Sequence, residues 1–392
     1  MSTILILFVN WDNLKNFRDA KNISFIGISN IGGNAVSALF WIFLAGILES
    51  ENYGEISFLL GIGSIAIAAS LLGSEQAITV YSAKNIKIQP PIYLISLISS
   101  SVSAVILFVA FQNIGLSIFV LGHVIYSLTL AEALGRKLYK NYSIYYLLQK
   151  IIFVILALFF FSIMGPEGVL LGYGLSMMFL AKKIYDSLKN SKIDFKILKS
   201  KSRFIIHNYI LDISRVSKGQ IDKILIGTLF GFTLLGNYFL SLQIISVLGI
   251  LPGIITKYTL PEDSSGKSTK KIKLITAGFS VILTLIGIFI APILLPLFFP
   301  HYTDSLELLP LLSISIIPST ISSLYISKFL GMEKSNFIIF AYLISFSTSI
   351  LGLVYLGPLW GIVGIATTLV ISSSLQATFF VILDFKISKH SN

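Results

Sequence analysis

The 392-residue sequence contains no cysteine, so neither a disulfide framework nor a thiolate site is open to it. It is also short of charge. Only 12% of its residues are Asp, Glu, Lys or Arg, about half the share of an ordinary soluble domain. That scarcity excludes a soluble globular enzyme. There are four histidines, and no His/Asp/Glu cluster has metal-ligand spacing. A phosphate-cradling glycine loop is missing as well, because Gly61 and Gly63 lack the lysine and the strand context. What the chain has in abundance is apolar surface: 55% of residues are hydrophobic and the mean hydropathy is +0.87. Such a chain is neither disordered nor fibrous; its solvent is mostly lipid.

A membrane-crossing helix needs about 20 apolar residues, so about 12 such helices take about 250 residues and leave only short loops. The hydropathy pattern predicts spans at 23–48, 55–80, 92–112, 114–135, 144–164, 167–184, 204–230, 233–256, 274–298, 305–330, 336–356 and 359–384. Pro90–Pro91, Pro166, Pro300 and Pro358 fall at the proposed loops. The apolar run Ile4–Val9 is too short for a signal-peptide core, so the start is expected to be retained, with residues 1–22 as a cytoplasmic lead-in.

Basic residues test this layout independently. With the N-terminus inside, every Lys and Arg falls in an inside segment except Lys150, Arg215, Lys218 and Lys223, which lie within proposed spans. The outside loops carry none, and several are acidic: Glu49, Glu51, Glu167, Asp304 and Glu307. The positive-inside rule therefore places both termini in the cytoplasm. It also arbitrates one ambiguous stretch. If 204–220 lay on the membrane surface, every later loop would invert and the Lys257–Lys273 cluster would go outside. A hairpin turning near Phe230–Thr233, with Gly231 in the turn, avoids that.

The expected fold is thus an all-α polytopic membrane protein of about 12 transmembrane helices in two six-helix lobes. A cytoplasmic lead-in (1–22) is followed by an N-terminal lobe (23–184), a basic linker (185–203) and a C-terminal lobe (204–392). Two parallel lobes related by an axis along the membrane normal are a known transporter plan. Sequence similarity between the halves is slight; the best hint is Tyr53–Gly54 against Gly236–Asn237–Tyr238.

The chemistry concentrates on span seven, where Asn208, Asp212, Arg215, Lys218, Gly219, Asp222 and Lys223 fall mostly on one helical face. Five ionisable groups cost roughly 12–17 kcal/mol at mid-membrane, and a dozen apolar residues recover only about half of that. The polar side must face a cavity or other helices. Asp212–Arg215 and Lys218–Asp222 are spaced to pair along the helix. One reading is a neutralised stripe at a lobe interface. The preferred one is a cavity wall for a polar or anionic substrate, because one positive charge is left over. Lys150, two turns into span five, points to that cavity or snorkels to the cytoplasmic interface. Asn30 and Asn34, one turn apart beside Gly32–Gly33, line the cavity or join helices through small-residue packing. Glu132–Arg136 reads as an i, i+4 pair, Glu75–Gln76 as interfacial, and His123 as a hydrogen-bonded interior residue. Gly249, Pro252, Gly253, Pro292, Pro296, Pro310 and Pro318 are expected to kink spans eight to ten.

Two segments carry a resemblance. Asn22–Ser82, with "LESENYGEISFLLGIGSIAIAASLLG", and the stretch "QIDKILIGTLFGFTLLGNYFLSLQIISVLGILPGIITKYTLPE" resemble the polysaccharide flippases. Tyr53–Gly54, Leu72–Gly73, Asp222, Ile226–Gly227, Gly236, Tyr238 and Pro261–Glu262 fall where that family has them. The family belongs to the multidrug/oligosaccharidyl-lipid/polysaccharide exporter superfamily. The resemblance implies two lobes, alternating access and transport of lipid-linked oligosaccharides. Its usual arginines are absent here, at Leu44–Ala45–Gly46 and around Val80–Tyr81. Lys150 and span seven would then meet the substrate's phosphate.

The expected function is non-catalytic export of a lipid-linked oligosaccharide across the cytoplasmic membrane of a prokaryote. The expected contacts are Arg215, Lys218, Asp212, Asp222, Lys150, Asn208, Asn30 and Asn34. The partners expected are the lipid-linked substrate, membrane lipids and glycosyltransferases of the same pathway, with no cofactor, metal or nucleic acid. Two rivals stand beside this. A cation-coupled multidrug exporter of the same superfamily would prefer a more acidic pocket. A glycan polymerase or lipid-using glycosyltransferase would need a larger outside loop.

Overall fold

In the computed structural model the described residues are 17–191, 193–250 and 269–390, with Pro252, Gly253, Ile255 and Thr259 between the last two blocks. The start of the lead-in, Lys15, Lys192, Lys257, Lys267 and the Pro261–Glu262 pair lie outside them. All regular secondary structure among the described residues is helical, without a strand.

The first lobe contains α1 (Phe17–Ile47), α2 (Ser50–Leu71), α3 (Ser74–Ala83), α4 (Gln89–Phe111), α5 (Ile114–Gly135), α6 (Tyr139–Met164), α7 (Pro166–Leu175) and α8 (Ala181–Asn190). The second contains α9 (Phe195–Phe230), α10 (Phe232–Leu248), α11 (Lys270–Leu285), α12 (Ala291–Phe298), α13 (Ser305–Ser313), α14 (Ile316–Gly331) and α15 (Ser335–His390). Among the described residues seven helices are long and apolar enough to cross a membrane, with α11–α12 counted as one and α15 as one, and the α13–α14 pair, bent by 45°, adds another. The rest of the twelve are spans that length and hydropathy alone undercount. α9 is too charged, α10 has 17 residues, and the sixth span is split by a 3₁₀ turn at Met178–Leu180.

α15 is two spans. Gly352 and Thr368 would lie about 24 Å apart along a straight helix. Yet a Cβ on Gly352 would sit 2.5 Å from Thr368 Cγ2. The chain turns back at Gly361 (φ 54°, ψ −129°), three residues after Pro358.

Several predicted spans are broken where the sequence carried turn residues. Span two divides at Leu72–Gly73, both left-handed. A side chain at Gly73 would also strike the α9 backbone, 2.5 Å from the Ile205 oxygen and the Tyr209 nitrogen, so this glycine serves φ and close approach together. Span nine passes through a π turn at Ile286–Ile290 before Pro292, and Pro296 lies within α12. The Phe230–Thr233 turn is as predicted: α9 ends at Phe230 and Gly231 (φ 88°) turns the chain into α10.

Polarity is inverted relative to a soluble protein. Ser57, Ser70, Ser96, Ser100, Ser280 and Ser345 are fully buried, while apolar stripes are exposed, such as Ile98, Val102, Val105 and Val109 on α4. An apolar exterior of this extent marks a lipid-facing surface. The chain is a multi-pass membrane protein.

The lobes meet where the halves resemble each other. A Cβ on Gly54 would lie 1.9 Å from the Phe232 oxygen, and one on Gly236 would lie 1.8 Å from the Ser50 oxygen. Small residues let helix backbones approach this closely. The neighbouring tyrosines play parallel parts: Tyr53 donates to the Trp41 carbonyl at 3.0 Å and Tyr238 to Asp222 Oδ2 at 2.5 Å. Around this contact Tyr302 donates to the Leu48 carbonyl at 3.1 Å, and the Ser305 backbone N–H donates to Asn237 Oδ1 at 3.0 Å. The two lobes are thereby joined at the end of the molecule predicted to be outside.

Topology has a direct test, since the native chain has no cysteine. A cysteine at Asn52 or Thr303 should react with an impermeant maleimide added to sealed cells, and one at Ser191 should not. Labelling of Ser191 would overturn the orientation.

Candidate functional site

The charged face of α9 forms one half of the site. Asp212 and Arg215 pair as spaced, at 3.3 Å, with the Arg215 side chain 55% exposed and that of Asp212 17%. The predicted Lys218–Asp222 pair is replaced. Asp222 accepts from Tyr238 at 2.5 Å and from the Lys223 backbone N–H at 2.9 Å. No ion pair within 4 Å holds Lys218 among the described residues. The tyrosine wins because α10 packs directly behind α9, and a hydroxyl fixed in that packing costs less to hold than a lysine. Lys223 donates to Gln220 Oε1 at 2.7 Å and lies over the Phe239 ring. Asn208 donates to the Phe204 carbonyl of its own helix at 2.8 Å.

The other half lies between α1 and α6. Tyr146 Oη donates to Asn34 Oδ1 at 2.7 Å, and Tyr142 Oη approaches Asn30 Oδ1 at 3.5 Å, one turn away on each helix. Gly33 makes this possible: a Cβ there would be 2.5 Å from the Tyr146 ring. Lys150 is held inside the protein, its Nζ 5.4 Å from the Tyr146 ring centre and 6.0 Å from that of Tyr173 on α7. At about 100° per residue, Tyr142, Tyr146 and Lys150 face away from the exposed stripe of Ile144, Leu148, Ile151 and Ile155. Likewise Asn30 and Asn34 face away from exposed Leu39 and Phe43. The polar faces point inward and the apolar ones to lipid.

Glu75, read from sequence as interfacial, joins the halves. It is half-buried at the start of α3, within electrostatic reach of Asp212 and Arg215, while Tyr142 is in reach of Glu75. Tyr342 of α15 lies near the same Asp212–Arg215 pair. Sequence reading passed over these tyrosines, although Tyr142 and Tyr146 at i, i+4 on a span were a signal. Glu132 pairs with Arg136 at 2.6 Å as expected and also accepts from Tyr93 at 2.6 Å. His123 departs from expectation: its ring packs edge-on against Phe119, and its Nδ1 has no hydrogen-bond partner among the described residues. No group of three or more metal-binding side chains occurs among them.

No protein-family model and no curated protein sequence matches the chain. Solved structures do. An inward-facing multidrug resistance MATE family transporter of the MOP superfamily superposes with a TM-score of 0.67 at 14% identity, over 94% of this chain and 98% of that one. An outward-facing MATE family transporter gives 0.62 at 18% identity, over 94% and 96%. A MOP superfamily transporter from Pyrococcus furiosus, described as having a binding pocket of reverse polarity, gives 0.56 at 17% identity, over 95% and 96%. The chain has the two-lobed fold of the MOP superfamily transporters.

Proposed function

We propose that the protein is an alternating-access exporter whose cargo is an anionic amphiphile, a lipid-linked oligosaccharide. The observation that carries this reading is the charge of the inward faces. Arg215 is largely open beside its single carboxylate partner, Lys218 has no salt bridge, and Lys150 is held among tyrosines. Four basic groups (Lys150, Arg215, Lys218, Lys223) stand against three acidic ones (Glu75, Asp212, Asp222). Guanidinium and ammonium groups in a low-dielectric cavity make strong, charge-assisted hydrogen bonds to phosphate oxygens. The lipid tail of such a cargo stays in the bilayer while its head passes between the lobes.

A second reading, a cation-coupled multidrug exporter, is favoured by the multidrug MATE transporters that share the fold. The two are separated in proteoliposomes by comparing a fluorescent undecaprenyl-diphosphate sugar with the cationic dye ethidium. The expected result is movement of the lipid, reduced at least tenfold by Arg215→Ala at normal protein amounts and partly kept by Arg215→Lys. Ethidium export that survives Arg215→Ala, without lipid movement, would make the drug reading correct.

A further inference from the structure

The N-terminal half of the site holds more polar chemistry than the charge argument uses. Four phenols converge there. Tyr126 of α5 is buried, its hydroxyl lacks a hydrogen-bond partner among the described residues, and it lies within electrostatic reach of Tyr142, Tyr146 and Tyr173. Gln149 Oε1 and Ser143 Oγ on α6 are also buried without partners. A buried polar atom left unpaired costs about 1–3 kcal/mol, so the Tyr126 hydroxyl beside the other three phenols leaves hydrogen-bonding capacity open to a guest. Asn34 is exposed on the inward face of α1, which leaves the cluster open to the space between the lobes.

The guest's chemistry follows from the walls. Aromatic rings suit the C–H faces of a pyranose. Phenols and carboxamides, each donor and acceptor at once, suit its hydroxyls. A cationic guest is disfavoured, because Lys150 already occupies the aromatic faces of Tyr146 and Tyr173 and would repel it. We propose that Tyr126, Tyr142, Tyr146, Tyr173 and Asn34 form a sugar-binding subsite in the N-terminal lobe, with the phosphate-facing Lys150 at its edge and the other phosphate-facing groups on α9. This rests on the reading that the cargo carries sugar. It divides the head between lobes: glycan against α1, α5, α6 and α7, diphosphate against α9.

The test uses the full-length protein in detergent and reads binding rather than transport. Saturation-transfer NMR is run with glucose, galactose, mannose, rhamnose, N-acetylglucosamine and N-acetylgalactosamine. At least one should bind. Its signal should fall at least fivefold in Tyr146→Ala and in Asn34→Ala and persist in Arg215→Ala. Undecaprenyl diphosphate bearing the strongest-binding sugar should bind at least tenfold tighter than the bare lipid, and Tyr146→Ala should erase that difference. Tyr146→Phe, which removes only the bond to Asn34, guards against a folding defect and should weaken the sugar signal about threefold. If sugars bind but neither lipid does, the subsite holds and the anionic-cargo reading fails. If both lipids bind equally and Tyr146→Ala changes neither, the subsite is overturned and the anionic reading stands. Failure of every sugar to bind overturns the subsite as well.

Discussion

Gly236→Leu is expected to hold the outer end of the protein open and to abolish transport. A side chain at Gly236 would begin 1.8 Å from the Ser50 carbonyl oxygen, and the reciprocal glycine, Gly54, leaves 1.9 Å to the Phe232 oxygen. Both obstacles are backbone, so no rotamer change relieves them. Overpacking a core already costs about 1–3 kcal/mol when side chains can adjust, and here α2 and α10 must separate. In the proposed alternating-access cycle this contact belongs to one state, so the penalty falls on that state and shifts the population towards the other. The reporter is a cysteine at Ser57, which is fully buried on α2 below the contact. In the parent it should resist impermeant maleimide. With Gly236→Leu its labelling should rise at least tenfold, and Gly236→Ala should give an intermediate rate. Parent-like labelling in a normally inserted Gly236→Leu protein would show that the contact does not gate the outer end.

Asp222→Ala is expected to destabilise the protein by about 3–5 kcal/mol, the usual cost of removing one partner from a buried charged network. Asp222 accepts the Tyr238 hydroxyl, and Tyr238 is 1% exposed. Without the carboxylate that hydroxyl is orphaned, and Lys218 and Lys223 lose the negative charge nearest them. Thermal unfolding in detergent should show a clear drop relative to Lys189→Ala on the exposed end of α8. Asp222→Asn keeps an acceptor for Tyr238 and should retain most of the stability, which frees it for a functional test. If Asp222→Asn in proteoliposomes still binds cargo but no longer responds to an imposed ion gradient, Asp222 couples transport to an ion. The expected outcome is that the gradient response is unaffected, because the carboxylate is committed to Tyr238 and holds α9 against α10.

The sequence by itself determined the membrane class, the number of crossings and the α9–α10 hairpin. Lipid imposes a length and an apolarity on each span, and the cost of moving lysines across the membrane sorts the loops; both are local properties of the chain. It also marked α9 as unable to face lipid, because five ionisable groups on one helix exceed what its apolar residues can offset. The tertiary structure alone decided which polar groups meet. The i, i+4 spacing of Lys218 and Asp222 offered a pair, but Tyr238, 16 residues further on, took the carboxylate because the Gly231 turn lays α10 behind it. Tyr142 and Tyr146 were passed over as aromatic residues of a span; Gly33 on α1, more than a hundred residues earlier, is what lets Tyr146 reach Asn34. Gly54 and Gly236 stood in the sequence as a slight likeness between halves, and in the fold they are one of the places where the halves touch, as Gly73 against α9 is another. A glycine records no partner in one dimension. Its meaning is the backbone that comes close to it, and that is set by how two lobes pack.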